Sequence, residues 1–132
     1  MRHVTVAFTR GGCRRLRVAT VDQLLDAIRL AEIDRGAPRA NAYRLSQTYV
    51  DDVCRITGQT FGLAQATASD EMARACILAY WEHYGHAYWL RTGSPANAEV
   101  LVRIHAGGPD GWMQPGTVAY WRLVLARLLE MV

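Results

Sequence analysis

Val102-Arg103-Ile104-His105-Ala106-Gly107-Gly108-Pro109-Asp110-Gly111-Trp112, followed by Thr117 and Tyr120-Trp121, is the stretch from which the rest of the chain is read. Val100, Leu101 and Ile104 recur at helical spacing, and the five residues from Gly107 to Gly111 then break the pattern. Thr117 opens a last helix whose apolar stripe is Val118, Trp121, Val124, Leu125 and Leu128. The segment is thus two helices joined by a glycine-rich turn. It has neither the Lys nor the strand-loop-helix setting of a phosphate loop.

Two earlier blocks have the same character. In Tyr49-Val50-Asp51-Asp52-Val53-Cys54-Arg55-Ile56-Thr57-Gly58, capped by Ser46, the apolar positions form one helical face and Gly58 stops it. Asp51 and Asp52 are read as belonging to the helix start, where the positive end of the macrodipole favours acids. Ser69-Asp70-Glu71 opens a further helix with Met72, Ala75, Cys76, Ala79 and Tyr80 inward, running through Tyr80-Trp81-Glu82-His83-Tyr84 to a stop at Gly85. Ser94-Pro95 reads as the cap and first residue of the helix that carries Ile104. Upstream, Thr20-Val21-Asp22-Gln23 is a capping box for a helix bearing Leu24, Leu25, Ile28 and Ala31. Val4, Val6 and Phe8, then Leu16 and Val18 after Gly11-Gly12, alternate as a β-hairpin with one apolar face. The expected fold is mainly α (α+β): a compact bundle of about five helices with an N-terminal β-hairpin. It forms a single domain over 1–132, hairpin at 1–19 and helices at 20–132. Leu24, Ile28, Val53, Cys76, Tyr80, Ile104, Trp121 and Leu125 are expected to share one core.

The three blocks, in this order, cover roughly residues 46 to 125 and resemble the invertebrate-type lysozymes and their bacterial and phage relatives, whose C-terminal block reads R-I-H-N-G-G-P-x-G-W…T-x-x-Y-W. The resemblance implies a lysozyme-like fold and a general acid at the C-terminal end of the first core helix, in a pattern like A-I-x-x-V-E-S-G. Ala27-Ile28-Arg29-Leu30-Ala31-Glu32-Ile33-Asp34-Arg35-Gly36 matches that run and puts Glu32 at the position of the acid.

The chain departs from the family where chemistry is done. Glycoside cleavage uses a carboxylic acid to protonate the leaving oxygen and usually a second carboxylate about 5–10 Å away. Family members supply the second from a segment with a G-D pair, followed by G-x-x-Q-I. Between Glu32 and Tyr49 this chain is shorter and has no G-D pair. It reads Asn41-Ala42-Tyr43-Arg44-Leu45, with Arg44 in place of the sugar-binding Gln, and Ala106 replaces the Asn of H-N-G-G-P. Asp34 follows Glu32 by two residues, which on a helix turns their side chains ~200° apart.

The 132 residues are 51% apolar and carry a net charge of +3, which excludes a disordered chain. All fifteen basic residues are Arg. Arg2, Arg10, Arg14, Arg15 and Arg17 precede the first acidic residue, Asp22, and form a basic patch that can face an anionic partner. No aromatics interleave with them as a nucleic-acid platform would want, so a solvated hairpin surface is the competing reading. Cys13, Cys54 and Cys76 make neither a disulfide framework nor a zinc signature. His83, His86 and His105 lack acidic or Cys partners in register, so no metal and no cofactor are expected. Trp89 and Trp112, in or near loops, are the surface aromatics for ligand stacking; Trp121 belongs to the core stripe. No apolar run reaches the ~20 residues of a membrane span. Met1 to Phe8 lacks a signal-peptide hydrophobic region, so a cytoplasmic protein is expected, reaching peptidoglycan only by lysis or in a virion.

Three functions follow. The favoured one is a catalytically degenerate lysozyme-like protein, reused as a phage or mobile-element binding or inhibitory factor acting on a protein partner. Its binding residues are Arg10, Arg14, Arg15, Arg17, Tyr43, Arg44, Trp89 and Trp112. The alternative is an active peptidoglycan hydrolase, muramidase or lytic transglycosylase, with Glu32 as general acid. The third is a nucleic-acid binder through the N-terminal Arg cluster.

Overall fold

Gly11 and Gly12, with φ of 58° and 80°, supply the left-handed pair that a two-residue hairpin turn needs. They join β1 (His3–Arg10) to β2 (Cys13–Thr20) in an antiparallel ladder that pairs Val4 with Ala19, Val6 with Arg17 and Ala7 with Leu16. This computed structural model describes residues 2–132, so Met1 of the expected hairpin lies outside the described residues. The register corrects the expected single apolar face. Directly paired residues share a face, so Leu16 and Val18 lie with Ala7 and Thr5, opposite to Val4, Val6 and Phe8. Val4, Val6 and Ala19 are buried, whereas Leu16 and Val18 are 61% and 64% exposed.

Thr20 ends the hairpin and caps α1 (Val21–Asp34): its hydroxyl accepts from the Gln23 N–H at 3.0 Å and the Gln23 side chain accepts from the Thr20 N–H at 2.9 Å. The α1 stripe of Leu24, Leu25, Ile28 and Ala31 is buried. Ser46 caps α2 (Gln47–Thr57), which stops at Gly58. A single turn, α3 (Leu63–Ala66), follows and was not expected.

Ser69 starts α4 (Asp70–Thr92) as read, but the helix passes through Gly85 and stops at Gly93, whose φ of 77° makes the left-handed cap. Gly85 is a packing residue: a Cβ there would lie 3.5 Å from Leu101 and 3.8 Å from Ala96. Met72 and Ala75, expected inward, are exposed, Met72 to 44%. α5 (Ala98–Gly107) is capped by Asn97, not Ser94, its side-chain oxygen accepting from the Val100 N–H at 2.9 Å. Short 3-10 turns at Gly111–Met113 and Pro115–Thr117 lead into α6 (Val118–Leu129).

The helices enclose one core, with α1 against α6, α4 against α2 and α5, and β1 on α5. Seven of the eight expected core residues are buried in it, and the eighth, Leu125, packs against it partly exposed. The glycine-rich turn is cinched from within. Thr117 Oγ1 lies 2.7 Å from the Gly111 carbonyl that accepts its proton, and Arg103 donates to Thr117 Oγ1 at 2.8 Å, to Glu99 at 2.8 Å and to the Gln114 carbonyl at 3.0 Å. No helix among the described residues is long and apolar enough to cross a membrane.

Candidate functional site

One helical turn beyond Ile28, Glu32 continues the inward stripe of α1, and only 4% of its surface is exposed. A carboxylate so placed must find donors. Arg35 reaches Oε1 at 3.2 Å from the end of the same helix, and Arg44 reaches it at 3.0 Å from the connector. The Tyr120 hydroxyl, from α6, donates to Oε2 at 3.1 Å. Burial, and then the Glu32 charge, push the Tyr120 phenol well above its ordinary range, so it stays a donor.

Arg44 is held there by its backbone. Asn41 braces the bend, its side chain accepting from the Leu45 N–H at 2.9 Å and donating to the Leu45 carbonyl at 2.8 Å. Arg44 takes φ of 51°, the one left-handed non-glycine among the described residues. Its guanidinium also donates to the Arg35 carbonyl at 3.0 Å. These groups line a hollow of about 300 Å³ with His105, Ala106, Gly116 and Thr117, in which Glu32 is the one acid among the described residues.

His105 forms the wall. Nε2 lies 3.2 Å from the Tyr43 carbonyl, which can only accept, so the proton sits on Nε2. Nδ1, 3.1 Å from the Tyr49 hydroxyl, is then the acceptor. Burial pulls the imidazole down to about 4 against a smaller upward effect of the Tyr43 carbonyl, so it is neutral at pH 7. Tyr49 stacks on Tyr80 at 3.9 Å, tying α2 to α4.

Beyond His105 lies a second hollow, of about 640 Å³, lined by Asp51, Asp52, Arg55, Tyr80 and Pro109 among others. The two hollows share Arg44, His105 and Ala106, so they adjoin across these residues. Asp51 and Asp52 are not at a helix start; they stand in the second turn of α2 and line this second hollow. Asp51 accepts from Gln47 at 2.7 Å. Asp52 accepts from Tyr84 and Arg55. Partial burial would raise the Asp52 carboxyl, but the Tyr84 and Arg55 hydrogen bonds outweigh it and hold it below its ordinary value.

The remaining sequence candidates scatter. Asp34 pairs with both nitrogens of an Arg127 fork at 2.8 Å on the flank of α6, away from Glu32. Tyr43, next to Arg44 in sequence, turns the other way; its buried ring sends the hydroxyl to Asp70 at 2.6 Å. Trp89 is 51% exposed near the end of α4. Trp112 is edge-on to Tyr88 at 4.9 Å and under Arg91 at 5.5 Å, so it buttresses the turn. Neither tryptophan lines either hollow. Arg10, Arg15 and Arg17 project from the same hairpin face as Val6 and Phe8, Arg14 from the other, and all four are exposed. Among the described residues, no group of three or more His, Cys, Asp or Glu is placed to hold a metal. Sequence reasoning missed Arg35 and Tyr120 as Glu32 partners. The T-x-x-Y-W block contained the second of these, without any sign that its Tyr faced the acid.

Chemically, every hydrogen bond at Glu32 is one that a carboxylate accepts, and one oxygen carries two guanidinium contacts. The other oxygen carries the Tyr120 hydroxyl, so both oxygens of Glu32 already hold donors from the protein.

No family model matches the chain. It is 36% identical over 83 residues to a lysozyme of Magallana gigas, covering 62% of this chain and 55% of that one, so it spans about half of that relative's length. It is 31% identical over 96 residues to invertebrate-type lysozyme 2 of Caenorhabditis elegans, covering 68% of this chain and 67% of that one. A chain in the crystal structure of Aeromonas hydrophila PliI in complex with Meretrix lusoria lysozyme superposes with a TM-score of 0.62 at 21% identity, over 79% of this chain and 87% of that one. That last likeness is one of fold.

Proposed function

Since this chain belongs to the invertebrate-type lysozyme family, we propose that it keeps the family's scaffold without its glycosidase activity and binds an acidic protein partner through its hairpin. The observation that carries the first half is the clamp on Glu32: two guanidiniums on Oε1, a phenol on Oε2 and no second acid in the same hollow among the described residues. Glycoside cleavage usually uses a second carboxylate beside the acid, and each acid or base removed forfeits about 10²–10⁴ in rate. The second half is supported by four exposed arginines on one hairpin, none of them with a carboxylate within ion-pair distance among the described residues. The same proposal includes the setting expected from the sequence, a cytoplasmic factor of a phage or mobile element.

The first test is cleavage. Peptidoglycan suspensions and chitin oligomers incubated with the protein are expected to release no more product than with Glu32→Gln. Cleavage that vanishes in Glu32→Gln while helix content is unchanged would sink the proposal in favour of a hydrolase. Adjacency of the two hollows, which brings Asp51 and Asp52 to the far side of Arg44, is the observation favouring that second reading.

The hairpin is tested separately. Substituting Arg10, Arg14, Arg15 and Arg17 together by Gln is expected to weaken binding of a polyglutamate peptide by about tenfold or more and to flatten its salt dependence. Exposed charges contribute below ~1 kcal/mol per pair, so the melting temperature is expected to stay close to that of the parent. Duplex DNA binding tighter than polyglutamate, lost on the same substitutions, would transfer the hairpin to the nucleic-acid reading.

A further inference from the structure

One turn before Glu32 on α1, and sharing no lining residue with its hollow, the connector and the α3–α4 linker enclose a separate concavity of about 390 Å³. That volume is within the range of small-molecule sites, ~300–1,000 Å³. Arg29 enters it from α1 and Arg39 from the 3-10 turn at Arg39–Asn41. Outside the hairpin, Arg74, Arg103 and Arg127 each face a carboxylate within 3 Å. Arg29 and Arg39 face none within ion-pair distance among the described residues, although Arg29 is partly buried. Arg39 is exposed and Arg29 only partly buried, and an oxyanion offers a guanidinium the bidentate partner that its fork matches.

The rest of the lining agrees. Asp70, the one acid at the rim, is engaged by Arg74 at 2.8 Å and by the Tyr43 hydroxyl at 2.6 Å, so its charge is already answered. Ser69 Oγ accepts from the Met72 N–H at 3.1 Å and keeps its own proton to donate. Thr67 has given its proton to the Leu63 carbonyl at 2.8 Å, which leaves Ser69 as the hydroxyl donor of the pair. Two unpaired guanidiniums and a hydroxyl in one concavity suit an anion carrying about two charges and three free oxygens, as a phosphate monoester does at neutral pH.

We propose that this concavity binds the phosphate group of a small phosphate monoester, held between Arg29 and Arg39 with Ser69 as a hydroxyl donor. The site is independent of the Glu32 hollow, and its failure would leave the reading of Glu32 untouched. Isothermal titration at constant ionic strength tests it with inorganic phosphate, ribose 5-phosphate and acetate. Saturable one-site binding of both phosphates is expected, with acetate about tenfold weaker or worse. Arg29→Gln and Arg39→Gln are each expected to weaken phosphate binding about tenfold, while Arg122→Gln, which removes an unpaired arginine from another surface, leaves it within about twofold. Circular dichroism checks that each variant is folded, and Arg29→Lys, which keeps the charge and loses the fork, is expected to fall between Arg29→Gln and the parent. No saturable binding up to about 10 mM phosphate, or equal loss in Arg122→Gln, would overturn the site. Binding of a phosphoserine peptide about tenfold more tightly than ribose 5-phosphate would overturn the assignment to a small molecule.

Discussion

Gly111→Ala is expected to lower folding stability by about 3–4 kcal/mol, at the upper end of what a single added methyl does. A Cβ at this position would stand 2.0 Å from the Arg103 carbonyl oxygen and 2.9 Å from its carbon. Both atoms are backbone of α5, so no side-chain rotation relieves the clash. The turn must move away from the helix, and with it go the bonds that cinch it, from Thr117 to the Gly111 carbonyl and from Arg103 to Thr117. Gly116, five residues on, is the control: a Cβ there meets nothing within 4 Å, and Gly116→Ala is expected to change stability by less than ~0.5 kcal/mol. Urea denaturation of the three proteins decides it. A Gly111→Ala midpoint corresponding to less than ~1 kcal/mol of loss would mean that the turn is not packed against α5 as described.

Acidification is expected to remove about 3 kcal/mol through His105 alone, from the fall of its imidazole to about 4 in the fold against an ordinary 6.5. The folded pKa lies below the unfolded one, so between those values the unfolded chain binds the extra proton. The contribution is therefore complete above pH 6.5 and lost progressively as pH falls toward 4. Protonation would place a donor on Nδ1 and a charge in the core, against Tyr49 and the stacked Tyr80. His105→Gln keeps a donor for the Tyr43 carbonyl without a titratable ring. Its stability between pH 7 and pH 4.5 is expected to fall less steeply than the parent's. Identical slopes in the two proteins would show that His105 is not the group responsible.

The elements most legible in the sequence were those specified locally. Thr20-Val21-Asp22-Gln23 carries both halves of a capping box within four residues, and Ser46 and Gly58 bound α2 by the same kind of short-range chemistry. Where two local signals compete, tertiary packing decides. Gly85 resembles a helix stop, yet the space beside it is taken by Leu101 and Ala96, and a glycine is what lets them approach. Ser94-Pro95 resembles a helix start, yet Asn97 lies nearer the first buried residue of α5 and takes the cap. The hairpin's faces follow from the turn: with Gly11-Gly12 as a two-residue loop, Leu16 must share a face with Ala7. Glu32 itself was found from its context, but its clamp was not. Tyr120 lies 88 residues away, and Arg44 reaches the carboxylate from a left-handed backbone conformation that an arginine does not advertise.

β2 is an open edge of eight residues, exposed from Cys13 to Val18, with Leu16 and Val18 pointing into solvent on its outer side. Strands of that kind are templates onto which another chain can add, and apolar residues along them make the addition favourable. Here Arg14, Arg15 and Arg17 interrupt the apolar positions. Two copies meeting edge to edge would set guanidinium against guanidinium before any ladder could close. Edge-to-edge addition at this strand is thus opposed by repulsion rather than by the absence of an adhesive edge, and salt, which shortens the reach of that repulsion to roughly 8 Å at physiological strength, works directly against the opposition.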